Sequence, residues 1–306
     1  MTVGRFAPSP SGSLHLGNLR TALLAWCFAR HEQGRFLLRV EDLTTGALPV
    51  AEAEQLSDLA TLGLTHDGAI ERQSELRERH DAAIARLQAR GLTYPCYCTR
   101  REIREASQAP HGDSPDGAYP GTCRSLSEAE RSRRAQEGRP AALRLLAGGV
   151  TVQVEDTQVG TIRGIVDDLV LRRGDGVASY NLAVVVDDAA QGVDQVVRGD
   201  DLLSSTPRQV LLQQLLELAT PRYAHVPLVL GVDGARLAKR HGAVGLADQL
   251  AAGATPNQVV GLLAHSLGLA EPGEALTAPE VLARFDPACL PREPWVLDPA
   301  ELAAWS

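Results

Sequence analysis

His15, Gly17 and Asn18 fall within four residues of one another in "PSPSGSLHLGN". This stretch leaves an apolar segment, Val3 to Phe6, and passes Pro8, Pro10 and Gly12. It then enters a run in which Leu16, Leu19, Leu23 and Cys27 recur at helical spacing. A helix that starts here aims free backbone N–H groups and a positive dipole end at whatever binds in front of it. His15 and Asn18 are three apart, so they share one side of the first turn and could donate to phosphate oxygens. Glycine inside a helix costs ~1 kcal/mol relative to alanine. Gly17 would offset that cost by letting a nucleotide base or phosphate approach the backbone. An ordinary helix start with capping residues explains the same letters equally well. Far along the chain, "RLAKR" (residues 236–240) sits in a Gly-flanked loop after an apolar run. Its Lys239 suits a phosphate that gains charge during reaction. Taken alone, a solvated basic turn is the simpler reading.

Cys96, Cys98 and Cys123 lie within 28 residues, in a segment rich in Pro, Gly and Tyr. Zinc prefers four ligands drawn from Cys and His. His111 lies in the same loop, and three reduced thiols without metal are the alternative. Cys27 reads as core and Cys289 has no assigned role. No convincing Ser/His/Asp or metalloprotease motif occurs.

Among the elements that must carry these groups, Val3–Phe6 reads as a strand. A helix follows from about His15, closed by Gly34, and then "RFLLRVED" as a second strand. Strand–helix–strand is the opening of a parallel α/β sheet. Helix continues to about Arg90. "AALRLL", "VTVQVED" and "GIVDDLVLRR" read as strands, as does "ASYNLAVVV" after the Gly174-Asp175-Gly176 turn. "STPRQVLLQQLLELA" reads as a helix with Pro207 in its first turn, and "HVPLVLG" as a late strand. The expected architecture is a doubly wound, Rossmann-type α/β core. Its halves are residues 1–75 and 176–230, split by an insert at 76–175 that carries the Cys-rich loop 94–124. Residues 231–306 supply the basic loop and a small helical tail.

The chain has 306 residues, 44% of them hydrophobic, which is enough for a real core. With 30 basic against 38 acidic residues and a net charge of -8, composition offers no argument for nucleic-acid binding. Any RNA contact would have to come from local basic patches. Cysteine usage is unlike a secreted disulfide framework, and neither a signal peptide nor a membrane span is read. A cytoplasmic protein without membrane association is expected.

"PSPSGSLHLGN" and "RLAKR" together resemble the HIGH and KMSKS signatures of class I aminoacyl-tRNA synthetases. "RFAPSPSG" and "RVED" resemble the glutamyl branch. "YNLAVVVDDAAQGVDQVVRGDDLLSSTPRQ" is similar to the glutamyl-Q tRNA(Asp) synthetase family. So is the spacing Cys96-x-Cys98, twenty residues, Tyr119, three residues, Cys123. The resemblance runs from Arg5 to about Leu246 and implies a class I catalytic core with an acceptor-binding-like insert. It implies that glutamate and ATP form glutamyl-adenylate without tRNA. Glutamate then passes to the queuosine base in the anticodon loop of tRNA(Asp). Arg5, Phe6, Ala7, Pro8 and Ser9 would line the amino-acid site, Glu41 would take the ammonium, and Tyr180 and Arg198 would complete the pocket. His15, Gly17, Asn18, Arg236 and Lys239 would bind ATP, with His15, Asn18 and Lys239 acting on the transition state. Cys96, Cys98, Tyr119 and Cys123 would hold one structural zinc, magnesium would arrive with ATP, and the chain would be a monomer. Three departures stand out. Asn18 replaces a histidine and Ala238 a serine, and "LTTGALP", with Thr44 and Thr45, follows "VED". A truncated glutamyl-tRNA synthetase charging a tRNA 3′ end, a noncatalytic RNA-binding descendant and, more distantly, a nucleotidyltransferase of the same fold are the competing readings.

Overall fold

The structure, a computed structural model, describes residues 1–44, 46–99, 101–103, 118–238, 241, 242, 244–298, 302 and 305. Thr45, His111, Lys239 and Arg240, all singled out above, lie outside the described residues. The chain opens with β1 (Val3–Phe6), α1 (Leu16–His31) and β2 (Arg35–Val40). Next come α2 (Pro49–Thr61), β3 (Glu71–Arg72), α3 (Arg77–Ala89), β4 (Thr93–Cys96) and α4 (Glu128–Gln136). Four strands follow: β5 (Ala142–Leu145), β6 (Val150–Asp156), β7 (Gly160–Val166) and β8 (Val170–Arg172). Then come α5 (Tyr180–Ala190), β9 (Gln195–Gly199), α6 (Thr206–Leu215), β10 (Arg222–Val226) and β11 (Val229–Gly231). The tail holds α7 (Leu246–Ala251), α8 (Pro256–His265), α9 (Ala278–Arg284) and β12 (Trp295–Leu297).

Seven strands form one sheet in the order β3-β2-β1-β9-β10-β6-β7, parallel throughout except for the antiparallel β6–β7 hairpin at its edge. Strand side chains alternate between faces. Phe36, Leu38 and Val197 join a core with α1 and the tail helices, whereas Leu37 and Val196 join one with α3, α5 and α6. Helices therefore cover both faces, as a doubly wound sheet requires. A separate three-stranded antiparallel sheet, β4-β5-β8, carries the Cys-rich loop. Among the described residues no helix is long and apolar enough to cross a membrane.

Four sequence expectations need correction. "ASYNLAVVV" is not a strand: Ser179 accepts from the Leu182 N–H at 3.4 Å and starts α5. Its run Leu182–Val186 is buried throughout, and a fully buried run shows neither the helical nor the strand period. "GIVDDLVLRR" is two strands, because buried Asp168 turns its carboxylate onto Tyr94, Arg124 and the N–H groups of Ala147 and Gly148. "HVPLVLG" is likewise two, broken at Pro227, which has no N–H for a ladder. Gly34 does not itself terminate α1. The left-handed residue is Gln33, with φ 53°. The Gln33 N–H donates to Arg30 O and the Gly34 N–H to Ala29 O, a Schellman-type end. Gly34 follows because a Cβ there would lie 2.4 Å from Thr2 O.

Candidate active site

A cleft of about 810 Å³ opens at the carboxyl ends of β1 and β2. Phe6, Ala7, Pro8, Ser9, His15, Asn18, Glu41, Tyr180 and Arg236 all line it, so the sequence-selected groups from both halves of the sheet converge there. Open α/β sheets bind ligands in this position. Gln55, buried on α2, shapes the entrance loop by donating to Ser9 O at 3.0 Å and Gly12 O at 2.6 Å. Sequence reasoning had passed over it.

His15 is the N-cap of α1. Its Nδ1 accepts from the Asn18 N–H at 3.2 Å, and the His15 N–H donates to Asn18 Oδ1 at 3.2 Å. The proton of a neutral ring therefore sits on Nε2. Burial, then the charge of Arg236, lowers the imidazole pKa to about 4. The ring is a neutral donor near pH 7, not a cation. Asn18 spends its carbonyl on the cap, which leaves its amide NH2 outside the cap. Gly17 borders a small crevice beside Thr21 and Arg236. A Cβ there would lie 3.0 Å from His15 Cε1 and Nδ1 and 3.2 Å from Val229 Cβ, so the glycine makes room for the His15 ring. Arg236 pairs with Asp201, and the Ala238 N–H donates to His241 Nδ1 at 2.9 Å, which anchors the loop just before Lys239.

Buried charges form the floor of the cleft. Arg5, at 5% exposure, donates through Nε to Asp188 and does not itself line the cleft. Arg39, fully buried, reaches Asp188 at 2.7 Å and Glu41 at 3.2 Å. Burial works against ionisation of Asp188, but Arg5 and Arg39 outweigh it and hold its pKa low. Glu41 goes the other way: burial raises its pKa despite Arg39 and Arg5, so a further cation beside it would favour its charged form. Tyr180 begins α5 with its ring facing the cleft. Its phenol is held above the ordinary value, by burial first and then by the charge of Glu41.

Arg198 lies at 4% exposure and is also absent from the cleft lining. It donates to His225 Nε2 at 3.0 Å, Gln209 Oε1 at 2.7 Å and Thr206 Oγ1 at 2.9 Å. None of these acceptors is a carboxylate, and Asp200 and Asp201 are not its partners. Arginine has five N–H donors. Three are used among the described residues, which leaves one on each terminal nitrogen. A buried guanidinium ringed by neutral acceptors is suited to a ligand carboxylate. Arg39 and Asp188 escaped sequence reasoning, although a lone Arg inside "FLLRV" and an Asp pair ending "LAVVVDD" are both unusual for fully buried runs.

Away from the cleft, the thiols of Cys96, Cys98 and Cys123 lie within 4.8 Å of one another. Tyr119 Oη completes the group, 3.3 Å from Cys96 Sγ and 3.7 Å from Cys98 Sγ, with Cys98 and Cys123 3.5 Å apart. Zinc–sulfur bonds of ~2.3 Å in a tetrahedron give S···S edges of ~3.8 Å. The three thiols therefore stand close enough to share one metal ion, with the Tyr119 hydroxyl beside two of them. Arg144 stacks on the Tyr119 ring with its guanidinium carbon 3.6 Å from the centroid.

The family model of the class I tRNA synthetase (E and Q) catalytic domain matches residues 1–303. A glutamyl-Q tRNA(Asp) synthetase of Nocardia farcinica is 64% identical over 294 residues, 96% of this chain and 92% of its own length. One from Symbiobacterium thermophilum is 49% identical, covering 99% of this chain and 98% of its own. A glutamate tRNA ligase from Elizabethkingia meningosepticum, solved in complex with its amino acid, superposes with TM-score 0.82 at 26% identity. That match covers 98% of this chain and 68% of the ligase.

Proposed function

Since the chain belongs to the class I tRNA synthetases of the E and Q family, we propose that it activates glutamate with ATP and transfers it to the queuosine base of tRNA(Asp). The observation that carries this reading is the near full-length match to relatives named for that reaction, at up to 64% identity. The cleft supports it chemically. Activation needs no protein nucleophile: the glutamate α-carboxylate attacks the α-phosphorus and pyrophosphate leaves. A hydroxyl of the acceptor then attacks the acyl carbon and AMP leaves. What the protein must supply is orientation and charge stabilisation.

In this reading Arg198 takes a glutamate carboxylate, Glu41 takes the ammonium, and Tyr180 closes the pocket over Phe6–Ser9. Arg5 acts from beneath by holding Asp188, and through it Arg39 and Glu41. His15 donates its Nε2–H to a phosphate oxygen as a neutral group, with an Asn18 amide N–H beside it. Arg236 and Lys239 flank the phosphates, and Gly17 gives the His15 ring its place. Magnesium arrives as part of the ATP complex. Cys96, Cys98, Cys123 and Tyr119 would hold one zinc, which would cross-link β4 to the loop before α4 and play no part in the chemistry. The protein works as a cytoplasmic monomer.

The test compares queuosine-containing tRNA(Asp), queuosine-free tRNA(Asp) and tRNA(Glu) as acceptors, with ATP–pyrophosphate exchange measured without tRNA. The expected result is exchange without tRNA and labelling of the queuosine form alone. Efficient labelling of tRNA(Glu), or equal labelling of both tRNA(Asp) forms, would overturn the reading.

A further inference from the structure

We propose that His225 and Asp156 are positioning residues that aim the guanidinium of Arg198 at the substrate carboxylate. The inference rests on the reading in which Arg198 binds glutamate. The three residues sit on adjacent parallel strands, β9, β10 and β6. Arg198 is in register with His225, and Tyr223 with Asp156. The line runs from Asp156 Oδ2 to His225 Nδ1 at 2.6 Å, and from His225 Nε2 to Arg198 Nε at 3.0 Å. His225 and Asp156 are both fully buried at their side chains.

The hydrogen-bond polarity follows without ambiguity. A guanidinium can only donate, so His225 Nε2 accepts and carries no proton. The proton of the neutral ring is on Nδ1 and is donated to Asp156. Asp156 stays ionised although burial opposes it, because His225 and the N–H groups of Val159 and Gln158 point at it. The arrangement solves a specific problem. A carboxylate placed directly on Arg198 would fix its direction but cancel the charge that a substrate must meet. An imidazole between them fixes the Nε–H with a neutral acceptor and keeps the carboxylate one ring away. Thr206 stands 3.2 Å from the same Nε2 and accepts from Arg198 Nη2, so that edge of the guanidinium is held at two points. Tyr223 lies under the guanidinium at 5.2 Å and stacks near the His225 ring.

Asp156→Asn separates positioning from mere packing. Its carbonyl takes the Oδ1 place, kept there by the backbone N–H groups of Gln158 and Val159 and by that of His225, which lies 3.3 Å from Oδ1 and 3.1 Å from Oδ2, so its NH2 takes the Oδ2 place and faces His225 Nδ1. The ring proton must then move to Nε2, where it opposes the Nε–H of Arg198. Imidazole nitrogen NMR reads the tautomer, calorimetry reads glutamate affinity, and ATP–pyrophosphate exchange reads both KM values. The expected result is an Nδ1–H tautomer in the parent and Nε2–H in D156N. Glutamate affinity falls roughly 10- to 100-fold while the KM for ATP stays within about 2-fold. A flipped tautomer with unchanged glutamate affinity overturns the proposal, as does an Nε2–H tautomer in the parent. If D156N does not fold, His225→Gln and His225→Asn replace it. Glutamine places a carbonyl near the Nε2 position and asparagine does not, so H225Q should bind glutamate much more tightly than H225N. Equal weakening overturns the proposal. Arg198→Lys keeps the two questions apart. Unchanged glutamate affinity in R198K refutes Arg198 as the carboxylate ligand. Weakened binding in R198K alongside unchanged binding in D156N and H225N leaves that reading standing and refutes the positioning role.

Discussion

Gly17→Ala is the substitution whose sign propensity alone would get wrong. Alanine gains ~1 kcal/mol over glycine inside a helix. Gly17 is in the first turn of α1 with ordinary helical backbone, so this gain is available. The added Cβ, however, would sit 3.0 Å from two atoms of the His15 ring and 3.2 Å from Val229 Cβ. Both contacts are a few tenths of an ångström too short. Val229 is buried in the core and β11 is paired to β12, so the imidazole is the group that must turn. Turning it breaks the Nδ1 cap on the Asn18 N–H, at a cost of ~1 kcal/mol. Residual crowding of a packed site adds ~1–3 kcal/mol. The helical gain is thus cancelled or exceeded, and the net change is a loss of ~1–3 kcal/mol. On the proposed role of His15, the same rotation moves the Nε2–H away from the phosphate oxygen it would meet. Misplacing one preorganised donor costs ~100-fold in kcat. The assays are urea unfolding and ATP–pyrophosphate exchange on the same preparation. A G17A protein stabilised by ~1 kcal/mol, with exchange intact, would refute the idea that Gly17 is there to seat His15.

Two further outcomes are expected. Protein purified without added metal should contain about one zinc per chain by elemental analysis, and Cys123→Ser should lose it together with hydrogen-exchange protection in β4 and β5; near-zero zinc in a normally folded, active preparation counts against the site. Arg222, assisted by Thr2, lowers the Glu32 pKa to about 2. Its stabilisation is therefore fully present above the unfolded-state value of ~4.3 and is lost as pH falls from there through about 2. Because the Glu32 side chain is 35% exposed, the pair contributes less than ~1 kcal/mol. Glu32→Gln should lower the urea midpoint at pH 7 and converge on the parent only as pH falls through about 2. An equal deficit at both ends would show that the effect is not ionic.

The fold was legible where element ends carry local punctuation. α1 has polar punctuation at His15 and a glycine just past its end, and β2 sits between Gly34 and an acidic pair, so their boundaries nearly coincide with the letters. Legibility failed where nothing local distinguishes helix from strand. Leu182–Val186 is packed on all sides, and a β-branched run in that setting reads as strand although the chain is helical. Asp167 and Asp168 looked like passengers in a strand. Asp168 is instead an internal acceptor for side chains and backbone of three other segments, which is a long-range fact that no local window contains. β12 escaped for the same reason. Its three residues become a strand only because β11 lies alongside.

The site divides along the same line. The groups proposed for the nucleotide end are local: His15 and Asn18 cap one another within a single turn, and Gly17 leaves room for the His15 ring. The groups proposed for the amino-acid end are not local. Arg198 takes its meaning from His225 and Asp156, 27 and 42 positions away, and Glu41 from Arg39, Arg5 and Asp188. This has a physical cause. An exposed arginine could meet a carboxylate unaided, but in water the contact would be weak and unselective. Sinking the arginine into the sheet strengthens the contact. It also obliges the fold to satisfy every remaining N–H with neutral acceptors drawn from other elements, here a strand and a helix. The stronger the recognition of a charged substrate, the more its determinants are spread over the sheet, and the less any short motif can show of them.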